Sequence, residues 1–203
     1  MNAFEEALTK CFGGPGLRKI QSTVVGIAGL GGLGSNCAAS LVRSGFRRLI
    51  LADFDKVEYS NLNRQFYFID QIGLYKTDCL KTNLLRINPD LDIKLMTRKI
   101  TLDNAAVVFA DCGVVVEAFD KAEYKCFMAE AFLGSPKLFV SASGLAGWGN
   151  SDALRVKKIK DNCFLVGDSY SEVNGLLPPC APRVAIAAAK EADVILSWVL
   201  GPR

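Results

Sequence analysis

The 203-residue sequence predicts an α/β fold: a mostly parallel sheet with helices on both faces and a small antiparallel extension near the C-terminus. Three observations predict it. An unbroken apolar run, Val24 to Ala28, gives way to the cluster Gly29-x-Gly31-Gly32-x-Gly34, then to a helix-like segment and a second apolar run ending at Asp53. Strand-like and helix-like segments alternate from there to Ser141, which is the pattern of right-handed crossovers between parallel strands. After Gly144 the alternation stops, and two short strand-like runs follow that can pair antiparallel.

Each element has its own signal. Asn2 to Lys10 reads as a short amphipathic helix, with Phe4, Ala7 and Leu8 opposite Glu5 and Glu6, and Gly13-Gly14-Pro15-Gly16 breaks it. This arm is expected to pack on the domain or to contact a second copy. Val24 to Ala28 suits a parallel strand covered on both faces. Ser35 to Ser44 is the crossover helix, with Gly45 just past its end, and Arg48 to Asp53 is the second strand. Gly73 to Ile87 reads as a helix closed by Asn88-Pro89. Asp92 to Met96 alternates as a strand, Asp103 to Ala110 is a short helix, and Val114 to Ala118 is a strand emptying at Phe119-Asp120. Lys121 to Leu133 is helical up to Gly134-Ser135-Pro136, and Leu138 to Ser141 is a strand. The antiparallel pair is Leu154 to Ile159 with Cys163 to Val166, and Asp168 to Pro179 is loop. Pro182 to Leu200 forms a last helix with Pro182 in its first turn. Trp198 near its end suits either a buried core helix or an interface.

Composition narrows the chemistry. Half the residues are apolar, enough for one domain with a full core. A net charge of +3 and a pI near 8.4, with no basic run interleaved with aromatics, argue against nucleic acid as a partner. No apolar stretch is long enough to span a bilayer. The sequence has no histidine, which excludes Ser-His-Asp and Cys-His schemes and leaves carboxylates, Lys, Arg, Cys and backbone donors. Seven cysteines (11, 37, 79, 112, 126, 163 and 180) are scattered and never spaced as Cys-x-x-Cys. That usage fits small buried hydrophobes in a reducing cytoplasm.

The glycines at the end of the first strand let the backbone turn tightly, approach a phosphate and present helix N–H groups to an anion. Asp53 closes the second strand nineteen residues after Gly34, where an acid can accept hydrogen bonds from ribose hydroxyls. In open parallel sheets ligands sit beyond the carboxyl ends of the strands, and Asp53 and Asp120 both fall on that edge. These features point to a nucleotide.

The Gly-x-Gly-Gly-x-Gly cluster after a strand, Asp53-Phe54-Asp55, Ser60-Asn61-Leu62-Asn63-Arg64-Gln65, Gly73-x-x-Lys76 and the strand end at Asp120 together resemble the adenylating domain of the ThiF/MoeB and ubiquitin-activating enzymes. The resemblance runs from about Leu17 to Leu200. The short length, Gly167-Asp168 and Ala181-Pro182-Arg183-Val184 are most similar to the compact ThiF type. It implies one Rossmann-like domain over residues 1–203, with 1–19 as an N-terminal helical arm. It also implies an adenylyltransferase that uses ATP and Mg²⁺ to activate the C-terminal glycine of a small ubiquitin-like sulfur carrier (ThiS-like, ending in Gly-Gly), releasing pyrophosphate. Thiamine thiazole synthesis, a separate sulfur donor protein and a homodimer belong to the same expectation. A non-catalytic adaptor for the carrier is one alternative and an NAD-dependent oxidoreductase another, although the latter lacks a recognisable proton relay.

Carried over residue by residue, the resemblance implies that Arg64, Lys76 and Asp120 are catalytic. Gly29, Gly31, Gly32, Gly34, Asp53, Asp55, Asn61, Arg64 and Lys76 would hold the nucleotide. The chemistry agrees, because a carboxylate attacking a phosphate brings two anions together and needs positive charge and alignment. Arg64 offers a planar fork and Lys76 a point charge, and Asn61 can bind phosphate without adding charge. Asp120 suits Mg²⁺, a hard cation that takes carboxylate and phosphate oxygens. Plainer roles stand beside these: a surface ion pair for Arg64, a strand-end turn for Asp53, a turn for Asp55 and a helix N-cap for Asp120. Without Cys-x-x-Cys pairs no structural zinc is expected. Arg18 is the nearest N-terminal arginine to reach the nucleotide, or it faces solvent. Cys180, before the last helix, is either a reactive thiol or a structural one, with Cys163 a weaker candidate. Gly144, Gly147 and Gly149 either wall a channel for the carrier tail or form a plain turn.

Overall fold

In the computed structural model, which describes residues 1–201, seven strands form one sheet. They are β1 (Val24–Ala28), β2 (Arg48–Ala52), β3 (Asp92–Met96), β4 (Val114–Glu117), β5 (Leu138–Ala142), β6 (Arg155–Lys160) and β7 (Cys163–Gly167), in the order β3-β2-β1-β4-β5-β7-β6. All neighbours run parallel except β6 and β7. The sheet is therefore the Rossmann-like one expected, with the antiparallel pair where the alternation was lost.

The central strands are apolar because both their faces are covered. Val25 and Ile27 of β1, with Val114 and Val116 of β4, join a core completed by Leu33, Cys37 and Leu41 of α2 (Gly32–Arg43) and by Ala187, Ala188 and Ile195 of α6 (Ala181–Leu200). The intervening residues face the other way. Val115 and Phe139 pack with Phe109, beyond α4 (Leu102–Val108), and with Met128 and Phe132 of α5 (Ala122–Phe132). Most of the inward side of α6 is buried, so the last helix is a core helix, with Trp198 44% exposed near its end. None of the described helices is long and apolar enough to cross a membrane.

Three boundaries differ from expectation by three residues or more, one of them at α3, which runs Lys76–Leu85 and does not include Gly73, whose φ is +83°. The first helix does not stop before Gly13: α1 runs Ala3–Ser22 with a kink at Gly13, where φ is +69°. Pro15 lies in the first turn after the kink, where its missing N–H costs nothing, and burial of Leu17 and Ile20 carries the helix on to β1. The arm packs at the amino-terminal edge of the sheet, where Glu5 meets Arg47 at 3.2 Å and Asn2 donates to Asn88 at 2.7 Å. The crossover helix starts at Gly32 rather than Ser35, because the glycines themselves make its first turn.

Strand order reverses between β1 and β4: the chain builds β2 and β3 on one side and β4, β5 and β7 on the other. A crevice at such a switch point, beyond the carboxyl ends, is where open α/β sheets bind ligands. A depression of about 260 Å³ opens at the opposite, amino-terminal edge, lined by Val24, Arg48, Asp92, Lys94 and Asp111. Its charges already pair with one another, Arg48 with Asp92 and Lys94 with Asp111.

Candidate active site

The loop between β1 and α2 is fixed by two close approaches. Gly29 has φ +91°, and a Cβ there would stand 2.9 Å from the Ala118 carbonyl oxygen at the end of β4. A Cβ on Gly34 would stand 1.9 Å from the Gly29 carbonyl oxygen, so neither position admits a side chain without moving backbone. The first helical hydrogen bond of α2 runs from Ser35 N–H to Gly31 C=O at 3.0 Å. Among the described residues, the N–H groups of Gly31, Gly32, Leu33 and Gly34 have no acceptor. Four donors therefore emerge at the positive end of a twelve-residue helix, a ready anion site.

Asp53 braces this loop. It is buried, with one carboxylate oxygen accepting the Leu30 N–H at 2.7 Å and the other the Asp55 N–H at 2.8 Å. Burial raises its pKa, and the Lys76 charge and the two N–H donors offset part of that rise. Lys76 is the first residue of α3 (Lys76–Leu85) and is buried, its Nζ 3.1 Å from Asp55 Oδ2. Asp55, half exposed, is thus the partner of Lys76 rather than a simple turn residue.

Arg64 crosses the start of α2, its Cγ 3.4 Å from where a Gly32 Cβ would be. Its NH1 donates to Ser60 C=O at 3.0 Å and Asn63 Oδ1 at 2.7 Å. Among the described residues no carboxylate pairs with it, so the surface ion pair is not formed and the rest of the fork is free. Asn61 is buried, and its Oδ1 accepts the Glu58 N–H at 3.1 Å. That shapes the loop and leaves only the Asn61 amide N–H₂, now turned to Ser60 Oγ at 3.4 Å, to reach a ligand.

Asp120 is exposed on the loop after β4, two residues beyond the Ala118 carbonyl that abuts Gly29. It makes no hydrogen bond or ion pair among the described residues. The N-cap of α5 is Lys121, without a side-chain cap bond, so Asp120 does not cap that helix. No group of three or more metal-ligating side chains occurs among the described residues. A single carboxylate without a partner among the described residues is still compatible with Mg²⁺, which keeps several waters and takes one or two carboxylates with phosphate oxygens.

Glu117, and the pairing of Asp168 with Arg183, escaped the sequence reading. Glu117 is fully buried and accepts from Phe119 N–H at 2.7 Å, Lys125 Nζ at 3.0 Å and Ser141 Oγ at 2.5 Å, so it anchors the loop that carries Asp120. A charge at the end of the otherwise apolar Val114–Val116 run was its only signal. Arg183, in the first turn of α6, pairs with buried Asp168 at 2.5 Å and donates to the Gly149 carbonyl at 2.9 Å. Asp168 also accepts the N–H groups of Tyr170 and Ser171. The pair clamps the loops after β5 and β7 to α6, and Gly144 lacks a side chain because Asp168 Oδ1 fills that space. Cys180 is half buried beside the Pro178 carbonyl. Cys163 is buried in β7, and burial raises its thiol pKa, which disfavours the thiolate there. Arg18 lies over Gly14 on α1, at the amino-terminal edge and away from this crevice in its own chain.

Comparison with known proteins agrees with the geometry. A family model described as the ThiF family matches residues 5–198. Ubiquitin-like modifier-activating enzyme 5 of Caenorhabditis elegans is 42% identical over 87 residues, 42% of this chain and 21% of that protein. The protein of the same name from Arabidopsis thaliana is 45% identical over 83 residues, 41% and 19% respectively. The match thus spans about a fifth of these relatives' length. The E. coli tRNA N6-threonylcarbamoyladenosine dehydratase TcdA, solved in complex with AMP, superposes with a TM-score of 0.86 at 20% identity, over 96% of this chain and 93% of that one. E. coli MccB, solved with ATP, superposes with a TM-score of 0.68 at 21% identity, over 91% and 57%. At these identities the superpositions establish the shared fold.

Proposed function

The chain belongs to the ThiF family, and on that premise we propose that it is an ATP-dependent adenylyltransferase acting on the C-terminal carboxylate of a ubiquitin-like protein. The observation that carries this reading is the convergence of four unpaired N–H donors of α2, the Arg64 fork and the exposed Asp120 carboxylate at one rim of the sheet. Each comes from the carboxyl end of a different strand, β1, β2 or β4, next to the switch point.

In the proposed reaction a carboxylate oxygen of the carrier attacks the α-phosphorus of ATP. The bond from that phosphorus to the bridging oxygen breaks, and pyrophosphate leaves with the electron pair, so acyl-AMP is formed without an external oxidant or reductant. The N–H groups of Gly31 to Gly34 and the Arg64 guanidinium offset the phosphate charge, and buried Lys76 adds a cation behind the loop. Asp53 holds the loop and keeps lone pairs for ribose hydroxyls. Asp120 would hold Mg²⁺, which when bound supplies further charge neutralisation on the phosphates. The finer reading is a sulfur carrier ending in Gly-Gly, of the kind that serves thiamine thiazole synthesis, in a cytoplasmic homodimer.

ATP–pyrophosphate exchange with purified carriers ending in Gly-Gly tests the proposal. Carrier-dependent exchange is expected from the wild type and not from Arg64→Ala or Asp120→Ala. ATP binding without exchange for any carrier would favour an adaptor, and NAD(H) binding without ATP affinity an oxidoreductase.

A further inference from the structure

Tyr67 is a buried, ionisable side chain that the reaction does not use. Its hydroxyl donates to the Leu30 carbonyl at 2.8 Å, with the Lys76 carbonyl at the edge of reach at 3.5 Å. Asp53 accepts the N–H of the same residue, Leu30. Both polar groups of the residue at the crest of the glycine loop are therefore held from below, by side chains 23 and 37 positions away. The segment carrying Tyr67 is itself hooked to α2: Ser35 Oγ accepts the Phe66 N–H at 3.0 Å, and Asn36 donates to the Arg64 carbonyl at 2.8 Å.

Two consequences follow from backbone geometry. No cis peptide bond occurs among the described residues, and in a planar trans unit the C=O and the next N–H point opposite ways. With the Leu30 carbonyl drawn to Tyr67, the Gly31 N–H is turned away from the core. The Leu30 carbonyl is also the oxygen that the Gly34 N–H would take if α2 began one residue earlier. The Tyr67 hydroxyl draws that oxygen to its own side of the loop, and the Gly34 N–H has no acceptor among the described residues. Burial raises the phenol's pKa well above its ordinary value, and the charges of Asp53, Cys79 and Asp55 raise it further, so the group remains a donor.

We propose that Tyr67 is a positioning residue for the nucleotide phosphates, acting through the Leu30 carbonyl to hold the N–H groups of Gly31 and Gly34 open toward the crevice. This rests on the ATP-binding reading above. Tyr67→Phe leaves the ring in place and the Leu30 carbonyl buried without a donor, which favours rotation of the Leu30–Gly31 peptide unit. The loss falls on the phosphate end of the ligand, whereas the adenosine end, held through Asp53, is unaffected.

The test compares binding of ATP and of adenosine to wild type, to Tyr67→Phe and to a variant with 4-aminophenylalanine at position 67, which returns an N–H donor at the same place. The phenylalanine variant should lose about tenfold in ATP affinity, the scale of one hydrogen bond to a buried carbonyl, with adenosine affinity unchanged and with recovery in the amino variant. Equal losses for ATP and adenosine, unchanged ATP affinity, or no recovery in the amino variant would overturn the proposal. If Tyr67→Phe does not fold, the amino variant decides alone by keeping or losing the wild-type ATP affinity. A wild type that binds adenosine and ATP equally well would overturn the phosphate site itself, an outcome distinct from failure of the tyrosine.

Discussion

Lys76 Nζ stands 3.1 Å from Asp55 Oδ2, so the buried cation is balanced by a half-exposed carboxylate. On the proposed reading, a phosphate above the loop would compete with Asp55 for that charge. Lys76→Ala should lower kcat/KM for adenylation by about a hundredfold or more, the range for losing one preorganised cationic or hydrogen-bonding group. Asp55→Asn should shift the KM for ATP by about tenfold or less, because it removes only the resting partner. Steady-state exchange kinetics distinguish the two.

Gly34→Ala should abolish measurable ATP binding. Its Cβ would collide with the Gly29 carbonyl oxygen at 1.9 Å, which forces the loop out of the shape that frees its N–H groups. Calorimetric titration with ATP checks this, and a retained far-ultraviolet dichroism spectrum shows that the sheet persists.

Asp168→Asn should destabilise the fold by about 3–5 kcal/mol, since it leaves the Arg183 guanidinium buried without its counter-charge. Burial works against ionisation of Asp168, but the N–H groups of Ser171 and Tyr170 and the Arg183 charge outweigh it and leave its pKa below 3.8. A lowered acid stabilises the folded state above its unfolded pKa and loses that contribution as pH falls through the folded value. The gap between wild type and variant in urea unfolding should therefore narrow below about pH 4.

Glu191 has the opposite sign. It is fully buried on α6, neither carboxyl oxygen has a partner among the described residues, and burial, then the nearby Glu117, raises its pKa well above 4.5 while Lys125 opposes this. The folded state keeps a proton that the unfolded chain releases, so stability is greatest below about pH 4.5 and falls as pH rises toward the folded value. Glu191→Met should raise Tm by more at pH 8 than at pH 5. An equal shift at both pH values would show that the carboxyl is not protonated in the fold.

Much of the architecture was legible because period and punctuation agreed: apolar runs for covered strands, glycines at the turn, Pro182 at the head of α6. Positions were easier to read than orientations. The resemblance singled out Arg64, Lys76 and Asp120, but it did not show that Asn61 turns inward to close its own loop, or that each Asp53 oxygen accepts a backbone N–H. Glu117, Glu191 and the Asp168–Arg183 pair were missed because burial of charge depends on neighbours distant in sequence. The continuation of α1 past Gly13 was missed for a related reason, since a break in local propensity is overridden when Leu17 and Ile20 find a core.

Val184 fills the space above Gly32, and α6 lines the length of α2. On the ribosome, then, the glycine loop and all seven described strands are synthesised before the helix that seals their flank. Until residues 181–200 emerge, Leu33, Cys37 and Leu41 face water, and the nascent chain is exposed to aggregation at that flank. On the proposed reading, competence to take a nucleotide therefore waits for α6, although the glycines that would hold it precede that helix by about 150 residues.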